Sequence, residues 1–592
     1  MLAIDFGERC TVDTTRDYKT ITRRVEHEGL PFLTITLPAF GKAFERWLDH
    51  GQVDLSDVTG FKSHAGLPVF LRGFLGQVFN SSGILEVCPN VDAILAIRQL
   101  AGAFGKLFEE CSASRTKAAM HQYLQTDEEI GEWNATVSSD DLAAIRRISL
   151  LLFGRVLDNS NTAVEQFRLR PKHGPGSTAD KLLGNEKFYA SWTWRLEEFF
   201  PSDAYLLPSA RHYKMLDEVQ FLEPGSEIPV KVVSVPKTQK SPRIIAEEPV
   251  AMQYMQQALA REIVEGLCND KIVQRFLRIR EQVFNQALAR EGSQTGSLAT
   301  LDLSEASDRV SNLLVQTFLD FWPALNGAVQ ACRSVHAEAR IQDDDVRKVE
   351  LRKFASMGSG LTFPIESMIF LALIFLGIER HIGREIKEGD LFSLFGRVSV
   401  YGDDLIVPVD YVGSVIHTLE SFGFKVNSHK SFWNGNFRES CGKDYFAGYD
   451  VSYVKVRRLW PDDRQDVERV VSLVSFFNQC KQAGYTHTTA WLRKELKVLL
   501  KGYFPRVAPT SRILGEHDDI YHDVIRMNPH RHSPETKGWV VKDHIPVNPL
   551  DGERALLKFF LMRSAEPLGR EHLQRSGRSK AVSIKLCMAE VI

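Results

Sequence analysis

Cysteine is scarce in this sequence and is never arranged for metal or redox chemistry. The eight cysteines are scattered along 592 residues, and the two closest in sequence are Cys88 and Cys111. Because cysteine zinc sites and dithiol redox sites need closely spaced pairs, the sequence excludes both. Scattered thiols are typical of a reducing compartment, so we expect a cytoplasmic protein.

Long apolar runs are also lacking. The longest, Met368 to Ile378, is shorter than the roughly 20 residues of a membrane-spanning helix, so we predict a buried helix and no membrane contact. The first ten residues carry Asp5, Glu8 and Arg9 and therefore lack the apolar core of a secretory signal. Secretion is not expected.

Neither sign of charge is in excess, since 73 lysines and arginines face 75 aspartates and glutamates. Net charge therefore neither indicates nor excludes nucleic acid as a partner, and local clusters must decide. No repeat and no low-complexity tract occurs, and no Gly-Lys pair has the spacing of a phosphate-binding P-loop. With 44% hydrophobic and 25% charged residues, this long chain predicts several subdomains around a large core.

Residues 398–408 contain Gly-Asp-Asp between two short β-branched runs, a pattern typical of a tight hairpin. Gly402 can adopt the positive φ of a turn, which would place Asp403 and Asp404 at its tip. Adjacent carboxylates repel each other unless a cation lies between them. The hairpin is therefore either a divalent-metal site or a polar turn with two solvated aspartates.

A further carboxylate, Asp302, lies in a predicted strand at Thr300 to Leu303, and Asp308 follows it in the helix that we expect next. If this strand lies beside the hairpin, Asp302 and Asp403 can face each other across two divalent ions, as phosphoryl transfer with two metals requires. The alternative for Asp302 alone is an acidic residue favoured by a helix N-terminus.

The segment from Ser356 to Ser367 is rich in glycine and hydroxyl groups. Its two glycines let the backbone approach a nucleotide, and Ser359, Thr362 and Ser367 offer hydroxyls to a ribose or a template backbone. The alternative is a flexible turn that caps the following helix.

The segment from Val235 to Ala246 predicts two strands joined by a basic turn. Lys237, Lys240 and Arg243 could hold an incoming triphosphate, and the arginine can make the forked contact that suits phosphate. The alternative is a solvated surface hairpin.

Two other clusters are interpreted as surface features. Asp343-Asp344-Asp345 lies in a polar connection, predicted for residues 340–353 without strands, and we interpret it as a solvated turn. His530 and His532 lack the neighbouring ligands of a metal site.

The rest of the sequence gives a coarse prediction of secondary structure. Residues 1 to about 220 predict mainly helices, strands begin near Pro229, and one helix is expected after Asp308, ended by Pro323. Beyond Tyr453 we predict helices and loops, with a basic stretch near the end that contains Arg575, Arg578, Lys580 and Lys585.

The order of these segments resembles the palm motifs of viral RNA-directed RNA polymerases. The motifs are the basic hairpin, Asp-x5-Asp, Ser-Met-Gly-x-Gly and Tyr-Gly-Asp-Asp, followed by Asn427 to Phe432 and Phe437 to Lys443. They are most similar to the replicases of the small single-stranded RNA bacteriophages, the levivirus group, over about residues 230–455. The resemblance implies an enzyme that copies an RNA template from ribonucleoside triphosphates.

The implied fold is α+β, a right hand with fingers, a palm of antiparallel sheet with packed helices, and a thumb. Its expected divisions are 1–228 for an N-terminal extension and mainly helical fingers, 229–298 for fingers with the basic hairpin, 299–455 for the palm with a fingers insertion at about 323–355, and 456–592 for the thumb and C-terminal region.

The resemblance also implies roles at the site. Asp302, Asp403 and Asp404 match the aspartates that bind two Mg²⁺ ions, for which Mn²⁺ is an alternative. Lys237 and Arg243 match residues along the triphosphate path. Lys430 matches a lysine that protonates the leaving pyrophosphate, with Lys425 as its rival. The other residues expected to bind the nucleotide are Asp308, Ser359, Gly360 and Thr362.

One departure concerns the sugar. In the wider polymerase class a threonine and an asparagine often follow Ser-Gly, but Pro364 and Met368 occupy those positions here. The residue that reads the ribose 2′-hydroxyl therefore stays open among Asp308, Ser359, Thr362 and Ser367.

The partners implied by the resemblance are the RNA template and product, ribonucleoside triphosphates, and the host elongation factors Tu and Ts with an RNA-binding ribosomal protein. The implied location is the cytoplasm of an infected bacterium.

Two rival functions remain. A reverse transcriptase would carry a bulky aromatic residue near the end of the first aspartate motif and a residue other than glycine before Asp-Asp, whereas Ser307, Asp308 and Gly402 stand there. A catalytically inactive RNA-binding protein would not need all three aspartates.

Overall fold

The computed structural model describes residues 1–188, 191–342, 344–562, 574 and 578–592. Helices and strands are mixed along these ranges, which confirms the predicted α+β class. Asp343 and Arg575, which belong to two clusters named above, lie outside the described residues.

Nineteen α-helices occur in the described part of the chain, and the long ones of the first 170 residues confirm the helical N-terminal pattern. They are α1 Leu2–Cys10, α2 Thr15–Glu28, α3 Leu37–His50, α4 Arg72–Leu75, α5 Val91–Gly102, α6 Ala113–Thr136, α7 Ser139–Glu165, α8 Trp194–Phe199, α9 Ser202–Tyr205, α10 Val250–Asn269, α11 Gln282–Thr295, α12 Asn312–Phe318, α13 Pro323–Cys332, α14 Thr362–Ile382, α15 Glu388–Phe392, α16 Val412–Ser421, α17 Val467–Gln482, α18 Thr486–Leu499 and α19 Glu553–Met562.

The same ranges contain twenty strands, most of them short. They are β1 Ser63–His64, β2 Leu67–Pro68, β3 Trp192–Thr193, β4 Phe221–Leu222, β5 Val230–Val235, β6 Arg243–Glu247, β7 Leu298–Ser304, β8 His336–Gln342, β9 Asp345–Glu350, β10 Ser399–Tyr401, β11 Asp404–Pro408, β12 Lys425–Val426, β13 Phe437–Ser440, β14 Lys443–Phe446, β15 Tyr449–Asp450, β16 Arg506–Val507, β17 Glu516–His517, β18 Arg526–Met527, β19 Pro534–His544 and β20 Ala581–Glu590.

A four-stranded sheet in the order β10-β11-β7-β12 carries the Gly-Asp-Asp hairpin. Its paired strands are all antiparallel, and β7 lies between β11 and β12. The β7 sequence Leu-Ala-Thr-Leu-Asp-Leu-Ser is buried over most of its length, which is typical of an inner strand covered on both faces. The sheet thus presents Asp302 from a rigid inner position.

A second four-stranded sheet has the order β6-β5-β8-β9. The predicted basic hairpin forms β5 and β6, but the prediction of a polar connection at residues 340–353 is wrong, because β8 and β9 form a hairpin there. Every second residue of β8 is buried, and two of these are alanines, Ala337 and Ala339. Small residues give little apolar contrast, so the alternation was missed.

The helix that the sequence predicts before Pro323 exists as α12, but it is shorter than predicted. Asp308 lies in a short 3₁₀ turn, and the backbone at Val310 and Asn312 is hydrogen-bonded to the segment from Arg352 to Phe354. Helix α12 begins only after Ser311, whose hydroxyl accepts a hydrogen bond from the Leu313 amide at 3.1 Å. Pro323 begins α13 instead of ending a helix, a position that suits its missing N–H.

Helix α14 is the centre of the larger core. Its residues from Pro364 to Ile378 are all buried, as expected for a helix that is apolar on every side. At 21 residues it extends beyond the predicted apolar run, and it is the one helix among the described residues long and apolar enough to cross a membrane. Since 89% of its most apolar window is buried inside the protein, the prediction of a buried core helix is confirmed.

The C-terminal part contains more sheet than predicted. Strands β19 and β20 pair along their whole length, from Glu535 opposite Glu590 to His544 opposite Ala581. Gly538 and several charged residues interrupt the apolar pattern of β19, so its length could not be inferred. Arg578, Lys580 and Lys585 of the basic stretch precede or lie in β20.

Two large apolar cores organise the chain. One is built from α7, α10, α12 to α14, α16 and the inner strands of the Gly-Asp-Asp sheet. The other joins residues between Phe6 and Leu107 to residues between Phe432 and Leu514. The first hundred residues therefore pack on segments that follow the hairpin in sequence.

Candidate active site

The Gly-Asp-Asp hairpin has a turn of only two residues, Gly402 and Asp403, because Tyr401 and Asp404 are already paired. Gly402 has a φ of +59°, and glycine at the first central position suits a two-residue hairpin turn. The prediction that both aspartates lie at the tip is corrected: Asp403 is exposed on the turn, whereas Asp404 is the first residue of β11.

Strand β11 pairs with β7 so that Asp404 lies directly opposite Asp302. Directly opposed residues of antiparallel strands project their side chains on the same face, so these two carboxylates share a face of the sheet. The sequence predicts Asp403 opposite Asp302, whereas the strand register places Asp404 there. The charge of Asp403 is nevertheless felt at Asp302, since it helps to raise the pKa of that carboxyl group.

The segment that follows β12 holds the Asp302 carboxylate in place. Lys430 Nζ lies 3.1 Å from Asp302 Oδ1, and Asn427 Nδ2 donates to Asp302 Oδ2 at 2.9 Å. The Asp302 amide donates to Ser431 Oγ at 3.1 Å. Both oxygens of the carboxylate are therefore oriented by residues just beyond the hairpin.

Strand β13 and the turn after it orient Asp404. The Cys441 amide and the Ser440 hydroxyl both donate to Asp404 Oδ1, at 3.2 and 3.4 Å. Burial and the neighbouring charge of Asp403 raise the pKa of Asp404 to about 7. Burial is also the main cause of the raised pKa of Asp302, against which the Lys430 ammonium acts.

The aspartate oxygens fit a divalent cation by their chemistry, because hard cations such as Mg²⁺ prefer carboxylate ligands. A cation beside Asp302 and Asp404 would relieve the repulsion and desolvation that raise their pKa values. They do not form a ready-made ligand set, since no three His, Cys, Asp or Glu residues within the described ranges are grouped closely enough to hold a metal ion.

The two rival lysines have different partners. Lys430 is bound to Asp302, whereas Lys425 Nζ donates to Glu129 Oε2 of α6 at 2.8 Å. Burial would lower the pKa of Lys430, but Asp302 and Glu439 outweigh it and raise the pKa. The geometry thus favours Lys430 as the lysine at the carboxylates.

The basic turn between β5 and β6 lies near these groups. Lys237 and Arg243 are exposed. The pKa of Lys237 is lowered by desolvation and by the charges of Arg243 and Lys430, while Asp403 and Asp302 act in the opposite sense. The charges of Lys237, Lys430 and the two aspartates therefore act on one another.

The glycine-rich loop is fixed by its own hydroxyls. Ser359 Oγ accepts from the Leu361 amide at 3.2 Å, and Thr362 Oγ1 donates to the Ser356 carbonyl at 2.8 Å. The Gly360 amide donates to Gln256 Oε1 at 3.1 Å. Both hydroxyls therefore bond to the backbone of the loop itself, and neither caps α14, because its N-cap residue Leu361 makes no side-chain capping bond.

The two other residues that could recognise the ribose, Ser367 and Asp308, also have partners within the protein. Ser367 Oγ donates to the Phe363 carbonyl at 2.7 Å and accepts from the Gly402 amide at 3.2 Å, which ties α14 to the hairpin turn. Asp308 Oδ1 lies 3.3 Å from the buried Lys353 ammonium. Among the described residues, Lys353 is the hydrogen-bond partner found for the Asp308 carboxylate, and it contacts only Oδ1.

One residue that we did not predict is Glu366, which is buried in α14 beneath the hairpin turn. Its Oε2 has no hydrogen-bond partner among the described residues. Burial raises its pKa far above the ordinary value, and the charges of Asp403 and Asp308 add to the effect. The signal in the sequence was a lone glutamate inside an apolar helix. Asn427, Ser440 and Cys441 were not predicted as supports because their contacts are distant in sequence.

A family comparison gives the class to which these motifs correspond. Residues 226–509 match the family model described as RNA replicase, beta-chain. The match includes both four-stranded sheets and the hairpin, and it confirms the resemblance to the replicases of RNA bacteriophages.

Individual relatives make the likeness more specific. The chain is 36% identical over 226 residues to the RNA-directed RNA polymerase beta chain of Enterobacteria phage fr. It is 34% identical over 275 residues to the RNA-directed RNA polymerase subunit beta of Escherichia virus Qbeta, and 30% over 351 residues to that of Enterobacteria phage SP. The matches cover 38%, 44% and 59% of this chain, and they span only 37%, 43% and 55% of the relatives.

Among solved structures, an insertion loop deletion mutant of the RNA-dependent RNA polymerase of a human picorbirnavirus shares 10% sequence identity. The match covers 46% of this chain and 57% of that chain, with a TM-score of 0.33. A score of this size supports no conclusion about the fold.

Proposed function

We propose that this protein is an RNA-directed RNA polymerase that replicates the positive-strand RNA genome of a bacteriophage. The observation that carries the proposal is the pairing of Asp404 with Asp302 beside Asp403, with Lys430 and the basic turn on the same site. In this reaction an RNA 3′-hydroxyl or a starting nucleotide attacks the α-phosphate of a ribonucleoside triphosphate, and pyrophosphate leaves.

Asp302, Asp403 and Asp404 would hold the two Mg²⁺ ions, or Mn²⁺ in their place. When bound, such ions activate the attacking hydroxyl and stabilise the leaving pyrophosphate. Hydrogen bonds from the protein fix the orientation of two of these carboxylates. Asn427 and Lys430 orient Asp302, and the Cys441 amide orients Asp404.

The basic residues would act on the triphosphate. Lys237 and Arg243 bind it from the exposed turn, and Arg243 offers paired N–H groups to phosphate oxygens. Lys430 would donate a proton to the pyrophosphate, because its Nζ lies at the carboxylates, 3.1 Å from Asp302 Oδ1. Asp308 is the candidate that supports ribose recognition best, because Lys353 contacts only one of its oxygens and the described residues supply no partner for the other.

The proposed right hand assigns the β10-β11-β7-β12 sheet to the palm and the β6-β5-β8-β9 sheet to the fingers. The parallel pairing of β8 with β5 supports the insertion at about 323–355. The thumb and C-terminal region would begin after residue 455. RNA, ribonucleoside triphosphates, the host elongation factors Tu and Ts and a ribosomal RNA-binding protein are the proposed partners, in the cytoplasm of an infected bacterium.

Asp403→Asn tests the proposal. We expect it to abolish incorporation of ribonucleotides on an RNA template, because a neutral amide at the exposed turn position cannot match the charge of a metal-bound carboxylate. The measurement is extension of labelled RNA by the purified protein in Mg²⁺ or Mn²⁺. Thermal unfolding should change little, since the Asp403 side chain is exposed.

Asp410→Asn is the matched control, because Asp410 is an exposed aspartate just beyond β11 and should keep full activity. Undiminished extension by Asp403→Asn would contradict the mechanism. A preference for deoxynucleotides in the wild-type protein would instead support a reverse transcriptase, and absence of any metal-dependent extension would support an inactive RNA-binding protein.

A further inference from the structure

The loop that follows α5 lies between two basic segments. The Val456 amide donates to the Ala103 carbonyl at 2.8 Å, and the Phe108 amide donates to the Arg457 carbonyl at 2.7 Å. The loop residues between Ala103 and Phe108, among them Lys106, therefore run alongside the segment that carries Lys455.

The same stretch of chain continues to the basic turn. Cys111 Sγ donates to the Thr238 carbonyl at 2.9 Å, and Arg115 Nη1 donates to the Gln239 carbonyl at 3.1 Å. The turn that carries Lys237 is thus fastened to residues just beyond Lys106, although the two lysines are far apart in sequence.

Carboxylates act on the charges of Lys106 and Lys237 only from beyond ion-pair distance. In the described part of the chain, neither forms an ion pair, whereas Lys430 is paired with Asp302. The pKa of Lys106 is lowered to about 8, first by burial and then by the charges of Lys237, Lys430 and Lys455, with Glu439 acting in the opposite sense. Crowded, unpaired ammonium groups are unfavourable unless an anion joins them.

We propose that Lys106 completes, with Lys237 and Lys430, a binding site for the polyphosphate of the incoming nucleoside triphosphate. This inference rests on the proposed polymerase function and adds to it a residue of the N-terminal region. A polyphosphate is favoured over an RNA backbone because it concentrates several negative charges in one small volume, which suits lysines brought together by the contacts between the segment after α5 and the basic turn.

The test measures anion binding and catalysis separately on the full-length protein. We expect Lys106→Gln to weaken binding of inorganic tripolyphosphate, measured by calorimetry, about tenfold, and to raise the KM for nucleoside triphosphates by a similar factor. The kcat and the affinity for template RNA should change less than about twofold. Lys106→Arg keeps the charge and should restore binding close to that of the wild type.

Lys494→Gln is the control, because Lys494 is an exposed lysine of α18. If Lys106→Gln proves poorly folded by thermal unfolding, Lys106→Met, which keeps the aliphatic stem, replaces it. Unchanged tripolyphosphate affinity in the folded variant would overturn the proposal, as would a loss of RNA affinity with unchanged KM. If the wild type incorporates no nucleotide, the polymerase function fails, while calorimetry still tests the anion site.

Discussion

Glu248 shows how strongly this protein's interior acts on a single carboxyl group. The side chain is buried just after β6, and Ser334 Oγ donates to its Oε2 at 2.6 Å. Burial raises the pKa of Glu248 from 4.5 to about 7, although hydrogen bonds from Ser334 and Gln256 oppose the rise. The folded protein therefore binds a proton at Glu248 that the unfolded chain has already released near neutral pH.

A pH-dependent loss of stability follows. Because the folded pKa lies above the unfolded one, the contribution of Glu248 is present below about pH 4.5 and is lost as pH rises to about 7. We expect Glu248→Gln to remove this dependence, so that the variant gains up to roughly 3 kcal/mol relative to the wild type between those limits. Urea unfolding at pH 5 and pH 8 measures the difference.

Glu247→Gln is the neighbouring control, since Glu247 is only half-buried at the end of β6. A difference between Glu248→Gln and the wild type that stays constant with pH would contradict the assigned protonation.

At the scale of elements, the glycine-rich loop depends on one close approach. Gly358 has a φ of +136°, and a Cβ there would lie 1.9 Å from the Ala246 carbonyl oxygen. The Ala246 amide also donates to the Met357 carbonyl at 2.9 Å, so the loop is held against β6 by backbone contacts. A side chain at this position must push the loop away from the basic hairpin.

We expect Gly358→Ala to destabilise the protein by about 1 to 3 kcal/mol and to reduce nucleotide incorporation, because both the φ and the contact oppose a Cβ. Gly413→Ala is the control, since Gly413 lies in α16 with no atom within 4 Å of an added Cβ. It should be neutral or slightly stabilising. Urea unfolding and RNA extension measure both variants, and equal behaviour would show that the loop has no need of glycine.

The sequence predicts the elements whose chemistry is local. The β-branched runs around Gly402 and the valines of β5 predict their strands because neighbouring residues alone carry the pattern. Strand β8 and the pairing of β19 with β20 escape such patterns, since small or charged residues are held there by strands that are not adjacent in sequence, β5 for β8 and β20 for β19. The break before α12 likewise depends on hydrogen bonds to residues 352–354.

In the candidate site, too, the sequence predicts features that are local and misses those that depend on distant contacts. The aspartates and the basic turn are recognisable from residue type and order. Which carboxylate lies opposite Asp302 depends on strand register, and a turn of two residues moves Asp404 into β11. The contacts of Lys430, Cys441 and Glu366 depend on packing, so no local pattern could indicate them.

At the scale of the whole molecule, Asp5 of α1 joins the N-terminal region to α18. Its Oδ1 accepts from the His487 amide at 2.7 Å, and its Oδ2 accepts from the Thr488 amide at 3.0 Å. These are N–H groups of the first turn of α18, which have no partner inside that helix. An acidic residue remote in sequence therefore caps the helix and compensates its dipole.

We expect Asp5→Ala to lower the free energy of unfolding by about 2 to 4 kcal/mol, because it leaves two N–H groups without acceptors at a buried contact. Glu8→Ala is the control: Glu8 is exposed and its carboxylate lies 2.9 Å from His487 Nε2. It should cost less than about 1 kcal/mol. Thermal and urea unfolding measure both, and equal losses would show that the cap contributes nothing specific.

The core shared by residues between Phe6 and Leu107 and residues between Phe432 and Leu514 has a consequence for biosynthesis. A ribosome adding roughly 5 to 20 residues each second needs on the order of 15 to 60 seconds to travel from one set to the other. Throughout that interval the apolar faces of α3 and α5 emerge without their final partners. The nascent chain is therefore most prone to aggregation before the hairpin and its following strands have been translated.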